Sequence, residues 1–412
     1  MELLHARCAA LDIGKKELKA CVRLPPVPGR KARRQEVRTF ATTTNALLEL
    51  RDWLAESQVT LVVMEATSDY WRGAFYLLED ELNVMLVNAA HAKALPGRKT
   101  DVADAAWLCQ LGECGLLRPS FVPPEPIRQL RDLTRYRATL AADRTREASR
   151  LEKELEDAGI KLSSVASDIL GVSGRAMLNA LIDGERDVHV LAEMAKARMR
   201  AKIPDLVQAL TGNFSEHHAF LCRIHLQRID QITASILEVS ARIEQAMRPF
   251  ARQIELLETI PGVGRSIAEV IIAETGADMT RFRTAGHLAS WAGTTPGHHE
   301  SAGKKRSSKT RHGNRWLAAA LGTAAMSAAR TKNSTYLGAR YARLVPRLGK
   351  MKAVVALEHS ILVAVWYMLT GDVPYQELGG TYLDTLDPDR TKRRAIAQLH
   401  RLGYRVELTL AA

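Results

Sequence analysis

The sequence predicts a mixed α/β domain followed by a mainly α-helical region. Short apolar runs alternate with helical patterns as far as about residue 123, which is typical of an α/β domain. After a proline cluster at residues 123–126, the composition changes to long charged stretches with helical periodicity. Because the chain has 412 residues, more than the ~100–200 usual for one domain, we expect two or more domains.

The first domain carries five candidate strands and two candidate helices. The strands are predicted at residues 8–13, 18–24, 37–40, 61–64 and 84–87, where apolar and β-branched residues cluster. Helices are predicted at residues 45–56 and 71–82, and Thr43 or Thr44 can cap the first. Residues 25–34 contain three prolines, a glycine and four basic residues, which predict a solvated hairpin or linker.

Two apolar stripes follow in the helical region. The stronger stripe has alternating spacings of three and four and consists of Ile229, Ile232, Ile236, Val239 and Ile243. The weaker stripe lies in a helix predicted at residues 127–158 and runs through Leu133, Tyr136, Leu140, Leu151 and Leu155. Such spacing is typical of a coiled-coil seam. The stripes could pair within one chain, pair between subunits or pack on a globular core, and we favour pairing between subunits.

Changes in composition divide the chain into four parts. They are an α/β domain at residues 1–122, a long helical and coiled-coil region at 123–255, a second globular part at 256–346 and a C-terminal extension at 347–412. The second globular part is predicted to be mainly α-helical. The extension contains a basic run at 390–394 and an apolar end at 406–410, which could form a short helix and strand packed on the body, or an extension that contacts a binding partner.

Positive charge is concentrated in one stretch of the chain. The whole sequence has 58 Lys and Arg residues against 46 Asp and Glu residues, a net charge of +12. Between Glu300 and Lys352 there are thirteen basic residues and one acid, so this window alone accounts for that net charge. Such clustering indicates a polyanionic partner bound through its phosphates.

The cysteines and the hydropathy pattern indicate a reduced, soluble protein. The five cysteines, an odd number, lack the CxxC spacing of zinc or redox sites. The N-terminal residues lack the long apolar core of a signal peptide. We find no run of ~18 uncharged apolar residues, and residues 361–370 are too short to span a membrane. We therefore expect a cytoplasmic protein that does not bind membranes.

Four acidic residues stand in unusual apolar surroundings. Asp12 and Glu65 each end a candidate strand, and Asp101 and Asp104 lie three apart on a predicted helix, where they share a face. Converging carboxylates repel one another unless a cation neutralises them, and hard oxygen ligands suit Mg²⁺. Singly, each acid could be a cap or a solvated turn residue. Together they predict a metal site for phosphoryl transfer.

A glycine-rich turn lies between two helical segments near residue 262. Gly262 and Gly264 would let backbone N–H groups approach a phosphate, and the next helix, beginning at Arg265, would add its positive N-terminal end. This pattern is typical of a helix-hairpin-helix, which binds the DNA backbone without reading sequence. The same turn also occurs between helices that bind no ligand.

Residues 294–314 are polar, contain glycines and have few apolar residues, so they predict a loop. Ser301 is followed by cations that could lower the energy needed to ionise its hydroxyl group and could stabilise a phosphorane. On chemical grounds alone, Ser307 and Ser308 compete with it for the role of nucleophile. The basic residues that we expect to contact nucleic acid here are Lys304, Lys305, Arg306, Lys309, Arg311 and Arg315.

These motifs together resemble one protein family. The order Asp12, Glu65, Asp101, Asp104 is similar to the acidic set of RuvC-like nucleases, which have the ribonuclease-H fold. Three segments more narrowly resemble the N-terminal domain of the DEDD insertion-sequence transposases, the IS-one-ten family. They are ALDIGKKELKACV, VVMEATSDYW and NAAHAKALPGRKTDVADAAWLCQL. A fourth segment resembles the C-terminal transposase domain of the same family, and its Ser301 matches the position of the family's nucleophile. This segment is LASWAGTTPGHHESAGKKRSSKTRHGNRWLAAAL. Some members have serine directly before glycine, whereas Ala302 intervenes here.

The resemblance implies more than the residues show by themselves. It implies an N-terminal RuvC-like domain, catalytic and Mg²⁺-binding roles for the four acids, and a covalent phosphoserine intermediate at Ser301. It also implies double-stranded donor and target DNA as substrates, a structured non-coding bridge RNA as guide, and a homo-oligomer, either a dimer or a tetramer. Guidance by RNA fits a protein that contacts mainly backbones, because base pairing can then supply the specificity.

Two other functions are compatible with the same residues. A Holliday-junction-type nuclease would use the four carboxylates to activate water and would not need Ser301. A non-catalytic nucleic-acid-binding protein would use the acids as caps and the basic loop as a docking surface. Replacing Asp12 or Glu65 would leave its activity intact.

Overall fold

The structure is a computed structural model that describes residues 3–29, 32–66, 68–88, 101–297, 299–301, 304–307, 309–310 and 312–409. Within these ranges, the description of residues 101–103, 299–301, 304–307 and 333 extends to the backbone only. The chain forms two compact units, Met1–Pro123 and Pro124–Ala412. An α/β unit followed by a mainly helical unit confirms the predicted fold class at this level. The finer division into four parts stays a prediction.

The first unit is built on a five-stranded sheet. Its strands are β1 (Cys8–Ile13), β2 (Glu17–Leu24), β3 (Arg34–Ala41), β4 (Leu61–Glu65) and β5 (Val84–Val87). The strand order is β3-β2-β1-β4-β5, with β1, β2 and β3 antiparallel and β1, β4 and β5 parallel. All five predicted strands are confirmed. Strand β3 is longer than predicted because its polar ends pair with β2 along their full length.

Helices cover both faces of this sheet. Helices α1 (Thr44–Glu56) and α2 (Trp71–Leu78) pack on the face that presents alternate residues of β1 such as Ala9 and Leu11. Helix α3 (Asp101–Glu113) packs on the opposite face, against Cys8 and Ala10. Thr43 occupies the N-cap position of α1, as predicted, but its side chain makes no capping hydrogen bond.

One basic residue of the predicted solvated hairpin is held in the unit instead. Arg33 is 15% exposed and pairs with Glu113 at 3.3 Å, and Arg23 binds the same carboxylate. Glu113 is almost fully buried, so it needs these cations to offset its lost hydration. The prediction of a solvated turn is therefore wrong for Arg33. Arg30 and Lys31 lie outside the described residues.

The second unit is helical apart from one short β-ribbon, within the part that the structure describes. Its first helices are α4 (Glu125–Asp157), α5 (Leu162–Val165), α6 (Val172–Ile182), α7 (Val188–Glu193), α8 (Ile203–Leu210) and α9 (Glu216–Ala246). The next are α10 (Ala251–Glu258), α11 (Arg265–Thr275) and α12 (Ala285–Ala292), followed by the ribbon strands β6 (His299–Ser301) and β7 (Lys304–Ser307). The last are α13 (Arg315–Arg330), α14 (Tyr336–Leu348), α15 (Lys350–Gly371), α16 (Tyr382–Thr385) and α17 (Pro388–Arg401).

The long helices α4 and α9 pack against each other within the chain, although the sequence favoured pairing between subunits. The stripe on α9 does not form one continuous buried seam. Ile229 belongs to a core built with α5–α8, whereas Ile243 belongs to a second core built with the C-terminal helices. Between them, Ile232 and Ile236 are only half-buried. The stripe therefore serves two globular cores as well as the helix pair.

Helix α15 is long and apolar enough to cross a membrane by length and composition alone. The helix contains Glu358 within its apolar stretch, so it is not a run of uncharged apolar residues. Several of its side chains, including Leu357, Ile361 and Val365, are fully buried in the C-terminal core. Packing in this core accounts for the apolar character of the helix.

The last helix, α17, contains the predicted basic run and has no buried residue. The described residues beyond it, as far as residue 409, form no strand. The prediction of a short helix and strand packed on the body is therefore wrong for the described residues of this segment.

Candidate functional site

In the first unit, two of the predicted acids end neighbouring strands. Leu11 of β1 is paired with Met64 of the parallel strand β4, so Asp12 and Glu65 follow at the same edge of the sheet. Side chains alternate along a strand, and Asp12 shares the face of Ala10. Glu65 shares that face by the same argument, through Val63. The sheet thus brings these two carboxylates to one edge and one face.

Helix α3 covers that same face and carries the other two acids. Its C-terminal part lies at the beginning of the strands, because the Sγ atom of Cys109 donates to the carbonyl oxygen of Cys8 at 3.2 Å. From Cys109 back to Asp101, the helix extends about 12 Å. Strand β1 extends about 13 Å from Cys8 to Asp12. These lengths allow the first turn of α3 to reach the acidic edge.

The exposure of the acids differs. Asp12 and Glu65 are half-buried, Asp104 is exposed, and Asp101 is the first residue of α3. Among side chains that the structure describes, no group of three or more His, Cys, Asp or Glu forms a potential metal site. The side chain of Asp101 lies outside that description. Two acids are thus brought together, and the complete set of four stays a prediction.

In the second unit, the glycine-rich turn lies between α10 and α11, as predicted. Gly262 has a φ of +90°, and a Cβ atom there would lie 2.4 Å from the carbonyl oxygen of Ala324 in α13. Gly264 is the exposed N-cap residue of α11, and a Cβ atom there would meet nothing within 4 Å. Packing therefore explains Gly262 without a ligand. Gly264 leaves the N-terminus of α11 open to a phosphate.

Arg265 begins α11 and is about half exposed. Its Nε atom donates to Oε1 of Glu269 at 3.1 Å, and Arg137 pairs with the other oxygen at 2.7 Å. Because Glu269 is buried, the two cations offset its lost hydration. Arg265 thus has a structural role in addition to its predicted contact with nucleic acid.

The predicted serine loop contains a two-stranded β-ribbon. Strand β6 ends at Ser301, and β7 begins at Lys304, with these two residues paired. The prediction of a loop is therefore wrong for these strands, since a two-stranded ribbon satisfies backbone hydrogen bonds across the pair and can form from a sequence with few apolar residues. Ser301, Lys304, Lys305 and Arg306 lie on this ribbon, of which only the backbone is described, so their roles stay predictions.

The base of the ribbon is closed by backbone contacts. The Gly297 N–H group donates to the carbonyl oxygen of Lys309 at 2.9 Å, and Pro296 forms a bridge with Thr310. Below them, Gly313 lies so close to the end of α12 that a Cβ atom would be 2.2 Å from the carbonyl oxygen of Ala292. The two ends of the ribbon segment therefore meet at a tightly packed neck.

Asn314 caps the helix that follows the ribbon. Its Oδ1 atom accepts hydrogen bonds from the N–H groups of Trp316 at 3.0 Å and Leu317 at 3.1 Å. Its Nδ2 atom donates to Oε2 of Glu274 at 2.6 Å. Glu274 was not predicted from the sequence, where its only signal is that it is one of two acids in the mainly apolar helical sequence AEVIIAETG.

The remaining predicted basic residues have different surroundings. The guanidinium group of Arg315 lies over the Trp316 ring at 4.7 Å, where a cation–π interaction holds it. Lys309 is exposed at the base of the ribbon. Arg311 and Ser308 lie outside the described residues.

Two family models match the chain and together cover more than half of it. A DEDD transposase model of the IS110 type matches residues 9–160, and a model described as "Transposase IS116/IS110/IS902 family" matches residues 254–342. The chain belongs to the IS110 family of transposases. The first match covers both strand-end acids of this IS110-family transposase, and the second covers its glycine-rich turn and its ribbon.

Two relatives of this IS110-family transposase support the assignment. A Sinorhizobium fredii protein named as a transposase, y4pF/y4sB, is 24% identical over 342 residues, which cover 81% of this chain and 78% of the relative. A Mycobacterium paratuberculosis protein, named as the uncharacterized 42 kDa protein of insertion element IS900, is 28% identical over 300 residues. That alignment covers 67% of this chain and 73% of the relative.

Proposed function

We propose that this transposase cuts and rejoins DNA strands through a phosphoserine intermediate at Ser301, with assistance from the carboxylates of the first unit. The observation that carries the proposal is the pair of acids, Asp12 and Glu65, at one edge and one face of the sheet, on the face covered by the helix of Asp101 and Asp104. The match to transposase family models independently supports a protein that acts on DNA.

The strand arrangement supports a RuvC-like, ribonuclease-H-type first unit. Three antiparallel strands are followed in the sheet by two parallel ones, and the first acid lies on the central strand β1. The four carboxylates provide only hard oxygen donors, which fit Mg²⁺. Asp12, Glu65, Asp101 and Asp104 would hold the ion, which when bound would polarise the scissile phosphate and neutralise developing charge.

The proposed chemistry at Ser301 is a transesterification. The Oγ atom of Ser301 forms a bond to phosphorus, the bond between phosphorus and the leaving strand oxygen breaks, and that oxygen takes up a proton. The serine phosphodiester conserves the bond energy, so a second strand end can attack it and release Ser301 without ATP. Lys304 and Lys305, close to Ser301 in sequence, add positive charge that favours the negatively charged transition state.

The second unit also provides elements suited to hold a DNA backbone. Helices α10 and α11 with their turn fit a helix-hairpin-helix, in which Gly264 and the open N-terminus of α11 would bind a phosphate. Gly262 would shape that turn, and Arg265 would add a cation. These contacts position DNA without reading its sequence.

A structured RNA would supply the sequence specificity that backbone contacts lack. Aromatic residues make up only 5% of the chain, which argues against single-strand stacking as the main mode of binding. The net charge of +12 favours binding to both nucleic acids. We further propose that the protein acts as a dimer or tetramer in the cytoplasm.

The test is a trapping assay with Mg²⁺, labelled donor and target duplexes, and the RNA transcribed from the DNA that flanks the gene. Wild type and Ser307→Ala should form a protease-sensitive DNA adduct. Ser301→Ala should form none, and Asp12→Asn should form it far more slowly because it weakens the acidic edge. Ser307 is the matched control because it lies in the same ribbon.

The other outcomes separate the competing functions. Cleavage without an adduct, unchanged by Ser301→Ala, would replace the serine mechanism with a nuclease that activates water. If the protein binds DNA but does not cleave it, and Asp12→Asn leaves the DNA affinity unchanged, the protein is a non-catalytic nucleic-acid-binding protein.

A further inference from the structure

Glu274, near the C-terminal end of α11, is fully buried yet carries a carboxylate. Two nitrogens of Arg135 in α4 donate to its two oxygens, each at 2.8 Å. Arg131, one turn earlier in α4, lies 3.5 Å from Oε2 and also donates to the carbonyl oxygen of Ala273 at 2.9 Å. Glu274 is therefore fixed from the α4 side by paired, directional hydrogen bonds.

The same carboxylate is also bound from the side of the ribbon. Oε2 of Glu274 accepts the 2.6 Å hydrogen bond from the Asn314 side chain. That bond orients the amide, because the nitrogen of Asn314 faces Glu274 while its oxygen caps the first turn of α13. An amide held on both sides has one orientation, which fixes the chain at residue 314.

This fixed point lies directly below the ribbon that carries Ser301. Gly313 packs against the end of α12, and the Gly297 N–H group binds the Lys309 carbonyl oxygen just above. The ribbon is anchored at this neck, and Asn314 is the neck residue whose side chain reaches a buried charge. A small rotation of Asn314 would be carried along the neck to the ribbon.

We propose that Glu274 is a positioning residue for the ribbon of Ser301, acting through Asn314. The inference rests on the proposed function, because it concerns the placement of the proposed nucleophile. Its physical basis is the sensitivity of transesterification to alignment, since a misplacement of 1 Å in a reacting group can cost on the order of 100-fold in rate. Glu274 would thus affect the rate of attack and leave DNA affinity unchanged.

Glu147 provides a matched control. It is a buried glutamate of the same unit, with 2% exposure, and is bound by Arg150 at 2.6 Å and His225 at 2.7 Å. The contact with Arg150 lies within α4, the contact with His225 connects α4 with α9, and neither involves the ribbon neck. Glu147→Gln therefore removes a comparable buried charge without disturbing Asn314.

The experiment measures single-turnover adduct formation by the full-length protein at saturating DNA, with RNA and Mg²⁺ present. Glu274→Gln should slow adduct formation on the order of 10- to 100-fold, with a duplex dissociation constant unchanged. Glu147→Gln should stay within about twofold of wild type, because distant sites act independently. Urea unfolding of both variants checks that they are folded.

Two substitutions at Asn314 keep the test decisive if Glu274→Gln does not fold. Asn314→Ser keeps an oxygen for the cap but loses the amide donor, so it should show the same selective loss of rate. Asn314→Asp places two carboxylates together and should be slower still. In the double variant Glu274→Gln with Asn314→Asp, the amide and the carboxylate exchange places, and the rate should recover at least about tenfold over Asn314→Asp.

The results distinguish this inference from the proposed function. If wild type forms no adduct that depends on Ser301, the proposed function fails. If wild type forms the adduct and Glu274→Gln or Asn314→Ser forms it as fast as Glu147→Gln, the positioning role is overturned. A loss of DNA affinity that matches the loss of rate, or a double variant without recovery, would overturn it equally.

Discussion

Gly262 lies in the turn between α10 and α11, against the backbone of α13. An alanine at this position would have to adopt a φ of +90°. Its Cβ atom would also lie 2.4 Å from the carbonyl oxygen of Ala324 and 2.8 Å from the N atom of Ala328. Both contacts are with the backbone of α13, so neither can be relieved by rotation of a side chain.

The cost follows from these two effects. A left-handed backbone costs a non-glycine residue about 1–2 kcal/mol, and overpacking a core adds about 1–3 kcal/mol. We therefore expect Gly262→Ala to lower the free energy of unfolding by about 2–5 kcal/mol. The melting temperature should fall by at least about 4 °C.

Gly264→Ala is the matched control in the same turn. Gly264 has a φ of −102°, which any residue can adopt, and a Cβ atom there meets nothing within 4 Å. Because glycine is only a moderate N-cap, the loss should be less than about 1 kcal/mol. Urea unfolding followed by circular dichroism should show a lower midpoint for Gly262→Ala alone, with unchanged slope.

One result would refute this reasoning. If Gly262→Ala unfolds at the wild-type urea concentration but loses affinity for duplex DNA, the glycine serves close approach to a phosphate, and packing against α13 is not its role. Equal destabilisation by the two substitutions would also contradict the packing argument.

Three further predictions follow from individual side chains. Burial raises the pKa of Glu358, so its protonated form contributes stability that is complete below the ordinary glutamate pKa and is lost as pH rises through the raised value. Glu358→Gln should therefore raise the melting temperature at about pH 8 and leave it unchanged at about pH 4, and an equal gain at both would contradict this. Arg265→Ser should reduce the slope of log affinity for duplex DNA against log salt by about one, whereas Arg252→Ser, an exposed control, should not. Asp187→Ala removes the 2.8 Å cap to the His189 N–H group and should cost about 1 kcal/mol in urea unfolding; no loss would show that α7 does not depend on this cap.

The strands and the acidic edge could be predicted because their signals are local. Buried runs such as Leu61–Glu65 are short, apolar and β-branched, and an acid at their end stands out from its neighbours. The pairing of β1 with β4 then needs only the sheet order. Asp12 and Glu65 therefore lie at one edge and on one face of the sheet, whereas their role in a metal site stays a prediction.

The buried ion pairs could not be predicted because their partners are distant in sequence. Arg135 and Glu274 are separated by 139 positions, and neither carries a local mark of the other. Arg33 looked like part of a solvated basic turn until Glu113 was placed beside it by the fold. The spacing of the α9 stripe, likewise, cannot show that its two ends belong to different cores.

Helix α4, like α9, contributes to both cores, with Ile127 in one and Leu151 in the other, and this has a consequence for the order of folding during synthesis. The core with Leu151 and Ile229 is complete once residue 229 has left the ribosome. The other core contains Ile127 at one end and Met368 at the other, so it must wait for almost the whole chain. During that interval the apolar face of the first turns of α4 meets its core only in part, and transiently exposed apolar surface of this kind favours aggregation of a nascent chain.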